Sequence, residues 1–200
     1  MSFGEGAHPG GAALTGRAAR LAGVSSGMAL LDVGCGIGQS LRLLEHKFGI
    51  IPFGIDISEK LIGMAGHLLP GAALTVGDAA NLPYLDASFD VVISECVLSL
   101  IEDKKQALSE MHRVLRPLGM LILSDICGEN DFGAIKDMFA EAKLEAACFE
   151  EHKAALITYA AEAYKAGAVS SCFTVAVETA RSIYGNSTYY LIICHKSGHR

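Results

Sequence analysis

The chain has 200 residues, 51% of them hydrophobic, and a net charge of −6. A chain of this size buries about 70% of its unfolded surface, so it needs no disulfide or metal staple, and its apolar content excludes a disordered polypeptide. No uncharged apolar run reaches the roughly 18–20 residues of a membrane helix, and the acidic balance without a dense Lys/Arg run disfavours nucleic acid and anionic lipid as partners.

Residues 1–11 are rich in glycine and carry Pro9; they show no basic, apolar leader, so no secretory signal is expected. We read residues 1–16 as a flexible arm, a possible lid, and 17–200 as one domain. A first helix is predicted over Ala12–Ala22, with Leu14, Ala18 and Leu21 on one face. Met28–Val33 is a short apolar run that reads as a buried strand, followed by the tight loop Gly34-Cys-Gly-Ile-Gly38 and a helix over Gln39–Lys47. Pro52–Ile57 is a second strand, and Ser58 caps a helix from Glu59 to about Leu69. Ala73–Val76 and Phe89–Ser94 are strands three and four. Lys104–Leu115 is an amphipathic helix, ended by the turn Arg116-Pro-Leu-Gly119, and Met120–Asp125 is strand five. The last third is less regular. It offers a helix over Phe132–Ala142, a sixth strand over Leu144–Glu150, an Ala-rich helix from His152 to about Ala166, a further helical stretch over Phe173–Ile183 and a final strand over Thr188–Cys194. Strands alternating with helices predict an α/β fold with a largely parallel sheet.

The six cysteines, Cys35, Cys96, Cys127, Cys148, Cys172 and Cys194, form no CxxC pair and most lie in apolar surroundings. This favours reduced core thiols and a cytoplasmic location.

A glycine loop between a first strand and a helix lets backbone approach a ligand closely, at the carboxyl end of the sheet where such folds bind ligands. Here the spacing is GxGxG, with Gln39 where the third glycine of a dinucleotide fingerprint would fall. Asp32 precedes the loop; a carboxylate there is poorly placed for a pyrophosphate and well suited to a cation. Asp56 ends the second strand, 22 residues beyond Gly34, where an acid accepts hydrogen bonds from ribose hydroxyls.

Leu31-Asp-Val-Gly-Cys-Gly-Ile-Gly38 resembles motif I of the class I S-adenosylmethionine-dependent methyltransferases. Gly54-Ile-Asp-Ile-Ser58, Gly77-Asp-Ala-Ala-Asn-Leu-Pro83, Ser88-Phe-Asp-Val-Val92 and Leu115-Arg-Pro-Leu-Gly119 follow in the order and spacing of the same family. The resemblance covers about residues 28–127 and is nearest to the small-molecule branch. It implies a Rossmann-like three-layer sandwich with a sheet of about seven strands, the last antiparallel, and S-adenosylmethionine as cofactor. It further implies that Gly34, Cys35 and Gly36 line the methionine part and that Asp32 acts near its ammonium. Asp56 would hold the ribose, Ile57 and Ala79 would flank the adenine, and Asp78 would accept from the adenine amino group. Ser94, with Glu95, would face the methyl. The family turn usually reads Pro-Gly-Gly; here it is Pro-Leu-Gly. The Asn/Asp-Pro-Pro-aromatic signature of adenine and glutamine-amide methylation is absent.

Each residue also has a plainer reading: strand-end cap for Asp56, turn residue for Asp78, amide cap for Asp32, rim residue for Glu95. The acceptor, expected to be a small molecule, is not legible. His152 and Glu95 are the candidate bases, His152 only if the sixth strand runs parallel. No metal is expected, because strand four ends in Ser94 rather than Asp. The segment 152–184 reads as a helical insertion over the strand ends, forming part of the substrate pocket or a homodimer contact. Three alternatives to a methyltransferase acting on a small molecule stay open: a non-catalytic S-adenosylmethionine binder, a thiol-dependent arsenite methyltransferase using Cys96, Cys127 and Cys172, and a nucleotide-dependent oxidoreductase of related fold, against which Gln39 and Asp32 speak.

Overall fold

The structure, a computed structural model, describes residues 8–128, 131–165 and 187–196. Cys172 and the helix predicted over 173–183 therefore lie outside the described residues, as do residues 1–7 of the arm. The chain opens with helix α1 (Gly11–Leu21), then strand β1 (Ala29–Val33), α2 (Gln39–Phe48), β2 (Ile51–Asp56), α3 (Glu59–Leu68) and β3 (Ala73–Val76). There follow β4 (Phe89–Glu95), a single 3-10 turn (Leu98–Leu100), α4 (Lys104–Val114), β5 (Leu115–Gly128), α5 (Phe132–Glu141), β6 (Leu144–Glu151), α6 (Lys153–Lys165) and β7 (Ser187–Lys196). Residues 11–16, which we read as the end of the arm, are thus the first turns of α1, with Leu14 and Thr15 buried. Among the described residues no helix is long and apolar enough to cross a membrane.

One seven-stranded sheet runs in the order β3-β2-β1-β4-β5-β7-β6. Strands β1 to β5 pair in parallel, and β7 runs antiparallel to both β5 and β6. The predicted Rossmann-like sandwich, with its last strand reversed, is the architecture found. Because β6 opposes β7, it points the same way as β5.

The two faces of the sheet separate by strict alternation, as the period of two demands. Leu30 of β1, Val91 and Ile93 of β4, Ile122 of β5 and Leu191 and Ile193 of β7 pack against α1, α2 and Leu156 of α6. Leu31, Val33, Val92, Leu121, Leu123, Tyr190 and Ile192 face α4 and α5 on the opposite side. Local sequence fixes the helix ends. Ser58 Oγ accepts from the Leu61 amide at the start of α3, and Asp103 Oδ1 accepts from the Gln106 amide at the start of α4.

The turn expected at Arg116–Gly119 lies inside β5 as a loop-out: Phe89 pairs with Leu115, and the next pair is Val91 with Met120. Leu118 carries it at φ +64 and is 74% exposed. A left-handed backbone is costly for an L-residue with a side chain and cheap for glycine. Leu118→Gly is therefore expected to stabilise the fold by about 0.5–1 kcal/mol, raising Tm by about 1–4 °C in thermal unfolding. A fall in Tm would show that the strain is relieved elsewhere.

Candidate active site

The carboxyl ends of β1, β2, β3 and β4 enclose a cavity of about 1010 Å³. The glycine loop forms one wall. Gly34 (φ +78) donates its amide to the Ile55 carbonyl at 2.8 Å, and a side chain there would strike Val97, with a Cβ only 2.3 Å from its methyl. Gly36 (φ +54) has open space where a Cβ would stand, so its bare backbone faces the cavity. Asp56 ties loop to helix: one carboxylate oxygen accepts from the Gly36 amide and the other from the Ser58 amide, both at 2.9 Å. Beside it Ile57 is 77% exposed, an apolar side chain left bare at the cavity edge. Asp78 and Ala79 line the same wall, with Asp78 Oδ1 fixed by the Ala80 amide at 2.9 Å. The opposite wall is the chain after β4, where Cys96 takes φ +58 and turns the backbone into the 3-10 turn.

A second, small cavity of about 90 Å³ adjoins the first, sharing Gly34, Gly36 and Glu95 in its lining. Asp32 and Cys35 are in its walls, with Ser40 of α2 and His8 before α1. Asp32 is 3% exposed, and its carboxylate accepts no hydrogen bond from the described residues. Burial, then the charge of Glu95, pushes its pKa well above the ordinary carboxylate range, while His8 pulls the other way.

Glu95 is the better-satisfied acid. It accepts from Thr15 Oγ1 (2.9 Å) and Ser40 Oγ (2.5 Å), and His8 Nε2 lies 3.2 Å away. Burial alone would raise its pKa; His8, then Ser40 and Thr15, outweigh that and hold it below the ordinary range. Tyr189 of β7 extends the network, donating to Ser124 Oγ at 2.8 Å with His8 Nδ1 at 3.4 Å.

The structure therefore gathers Asp32, Gly34, Cys35, Gly36, Asp56, Ile57, Asp78, Ala79 and Glu95 around two joined cavities. It does not bring Ser94 or His152 there. Ser94 points to the α4 side of the sheet, 1% exposed, with Oγ donating to the Val33 carbonyl. The condition on His152 is met, since β6 points with the parallel strands, but β6 is an edge strand two places beyond β5. There His152 pairs with Glu150, which also binds Arg17. His8, Ser40, Ser124 and Tyr189 escaped the sequence reading, which singled out Thr15 only as part of the N-terminal arm. The signal that finds three of the network's members is strand phase: Glu95 and Ser124 continue the rows of Ile93 and Ile122, and Tyr189 that of Leu191. Burial pushes the thiols of Cys127 and Cys194 up to about 12 and that of Cys35 higher still, so these cysteines are protonated and poorly nucleophilic.

Residues 31–123 match the family described as "Methyltransferase domain". A 2-methyl-6-phytyl-1,4-hydroquinone methyltransferase of Synechocystis sp. is 40% identical over 102 residues, which is 50% of this chain and 32% of that one. The chain thus spans about a third of that relative's length. Two solved structures share the fold. A putative sarcosine dimethylglycine methyltransferase from Galdieria sulphuraria has a TM-score of 0.81 at 19% identity, covering 93% of this chain and 85% of that one. The cyclase SpnF has a TM-score of 0.80 at 20% identity, covering 94% and 81%. The motifs at the strand ends fall within the matching segment: residues 31–123 are similar to the methyltransferase-domain family, and the fold is that of the two solved structures.

Proposed function

We propose that this chain binds S-adenosylmethionine in the two joined cavities and transfers its methyl group to a small-molecule acceptor. The observation that carries the reading is the pairing of a bare glycine loop with Asp56, whose two oxygens are pinned by Gly36 and Ser58 while the carboxylate stays on the cavity wall. Each of those oxygens keeps a lone pair for a ribose hydroxyl. Ile57 and Ala79 offer apolar contact to an adenine, and Asp78 an acceptor for its amino group. The small cavity fits an amino-acid end: Asp32 is buried, unpartnered and next to a second carboxylate, an arrangement suited to an ammonium ion. Bound there, the cofactor supplies a methyl already activated on a sulfonium, so that its carbon–sulfur bond breaks as the bond to an acceptor O, N, S or C forms. The protein's own task is then orientation and exclusion of water. Glu95, engaged by three partners, acts as a wall of the site rather than a proton acceptor.

The hydroquinone specificity in the name of the Synechocystis relative supports a small acceptor. A second reading, cofactor binding without methyl transfer, draws on the cyclase that shares the fold. Production of S-adenosylhomocysteine with a panel of small phenols and amines separates the two.

Titration calorimetry with S-adenosylmethionine, S-adenosylhomocysteine and NAD tests the cofactor. Asp56→Ala is expected to weaken the first two by about 10- to 100-fold, the worth of one or two hydrogen bonds to a charged group. Binding of NAD alone would overturn the reading.

Asp32 gives an independent check. Its folded-state pKa is raised, so its ionisation opposes folding. The penalty is absent below the unfolded carboxylate range, where both states are protonated. It sets in as pH rises above that range and levels off above the folded pKa. Asp32→Asn should therefore raise the Tm of the ligand-free protein near neutral pH and leave it little changed at about pH 4. The same substitution should weaken S-adenosylmethionine binding. A loss of stability at neutral pH would show that Asp32 holds the fold rather than a ligand.

A further inference from the structure

A separate cavity of about 310 Å³ lies on the α4–α5 side of the sheet, between the 3-10 turn, the end of β5 and the start of α5. It shares no lining residue with either cavity of the candidate active site. Leu98, Ile126, Ile135 and Met138 give it apolar walls. The polar groups at its mouth are engaged or solvated. The Ser99 amide donates to Asp125 at 2.8 Å, Lys104 Nζ donates to the Ile101 carbonyl at 2.9 Å, and Asp131 is exposed. Tyr190 of β7 differs. It is 2% exposed, yet its hydroxyl makes no hydrogen bond to a described residue, whereas the hydroxyl of its neighbour Tyr189 donates to Ser124. Among the described residues no polar side-chain atom sealed from solvent lacks a partner, so the unpartnered Tyr190 oxygen reaches open space, and the space beside it is this cavity. Its position is fixed. Phe149 stacks on the Tyr190 ring with centroids 6.4 Å apart, Phe132 meets it edge-on, and β7 is paired on both sides.

A buried tyrosine hydroxyl usually finds a partner, and one left without an acceptor is costly. Burial, then the charge of Asp125, pushes the Tyr190 phenol well above its ordinary pKa, so it stays protonated and has a proton to donate. An apolar cavity with one convergent polar group has the usual form of a small-molecule site. A cavity of roughly 150 Å³ accepts benzene, so this one has room for two fused rings, and the Met138 thioether favours an aromatic face. A hydroxyl or amine on the ligand would bring a donor that the apolar walls leave unpaired, and a carboxylate would bring a charge; a carbonyl brings an acceptor alone. We infer that this cavity binds a small aromatic carbonyl compound, its rings against Leu98, Ile135 and Met138 and its oxygen accepting from the Tyr190 hydroxyl. The site stands apart from the proposed cofactor chemistry, so either reading can fail without the other.

The probes are 1-tetralone and tetralin, the same two-ring skeleton without the oxygen. Both are titrated into the full chain carrying methyl-labelled methionine, and the Met138 methyl resonance, assigned through Met138→Leu, reports occupancy of the cavity. Tetralone is expected to shift that resonance. Tyr190→Phe keeps the ring and removes the donor; it should weaken tetralone by about two- to tenfold, the worth of one neutral hydrogen bond, and leave tetralin unchanged. A second reading needs no variant: the carbonyl stretch of bound tetralone, measured by infrared spectroscopy, should move to lower wavenumber, as on hydrogen bonding to a phenol. A Met138 resonance that tetralone does not move, a carbonyl stretch unshifted on binding, or a Tyr190→Phe protein that binds tetralone as well as the unmodified chain overturns the inference.

Discussion

A carboxylate buried at 6% side-chain exposure must find partners or lose its charge, and much of the site's architecture follows from meeting that demand at Glu95. Glu95 ends β4 on the same face of the sheet as Ile93, directly in the layer where α1 and α2 pack. The partners come from three places in the chain: Ser40 from the first turn of α2, Thr15 from α1, and His8 from the segment before α1. Holding that one acid therefore fixes the N-terminal segment against the strand ends. Tyr189 and Ser124 carry the same constraint to β5 and β7, so the antiparallel strand that closes the chain is tied to its beginning.

Asp56 shows a second economy of the fold. Its hydrogen bond to Gly36 shapes the loop after β1, and its bond to Ser58 shapes the entry to α3. The residue that builds the wall is also part of the wall. Asp32 is treated differently. It alternates with Leu31 and Val33, so it is carried into the α1 layer and buried there, yet no described residue offers it a hydrogen bond. Asp56 and Glu95 hold the framework through their hydrogen bonds, whereas Asp32 takes no such part.

Most of the framework was legible because it rests on local rules. Strand and helix bounds follow from apolar runs, from Ser58 as a cap, and from glycines that end strands. The cavity wall was legible for the same reason, since Gly34, Gly36, Asp56 and Asp78 each stand at the carboxyl end of a strand. What stayed hidden depends on pairing between distant segments. His8 sits in a glycine-rich stretch with nothing nearby to suggest a partner, and its contact with Glu95 spans almost half the chain. Ser94 and Glu95 are neighbours in sequence, and only the phase of β4 decides which enters the cavity. Ser94 turned to the α4 face and Glu95 to the α1 face. The turn 116–119 was read correctly as a break, but its place inside β5 depends on the register with β4, which no local pattern encodes.

The same distinction explains why the acceptor is harder to read than the cofactor. The residues that line the glycine-loop side are held by the sheet, so their chemistry and spacing are set together. The facing wall is made by the chain between β4 and α4, where Cys96 reverses the backbone and residues 97–103 carry the cavity outward. There the sequence is free to vary without disturbing the sheet. In this chain that stretch adds Glu102 and Asp103 to a lining that also holds Asp56 and Asp78. A fold that obtains its reactivity from a bound, already activated group needs no fixed catalytic side chain. Its selectivity then rests on the variable wall, where local sequence rules say least.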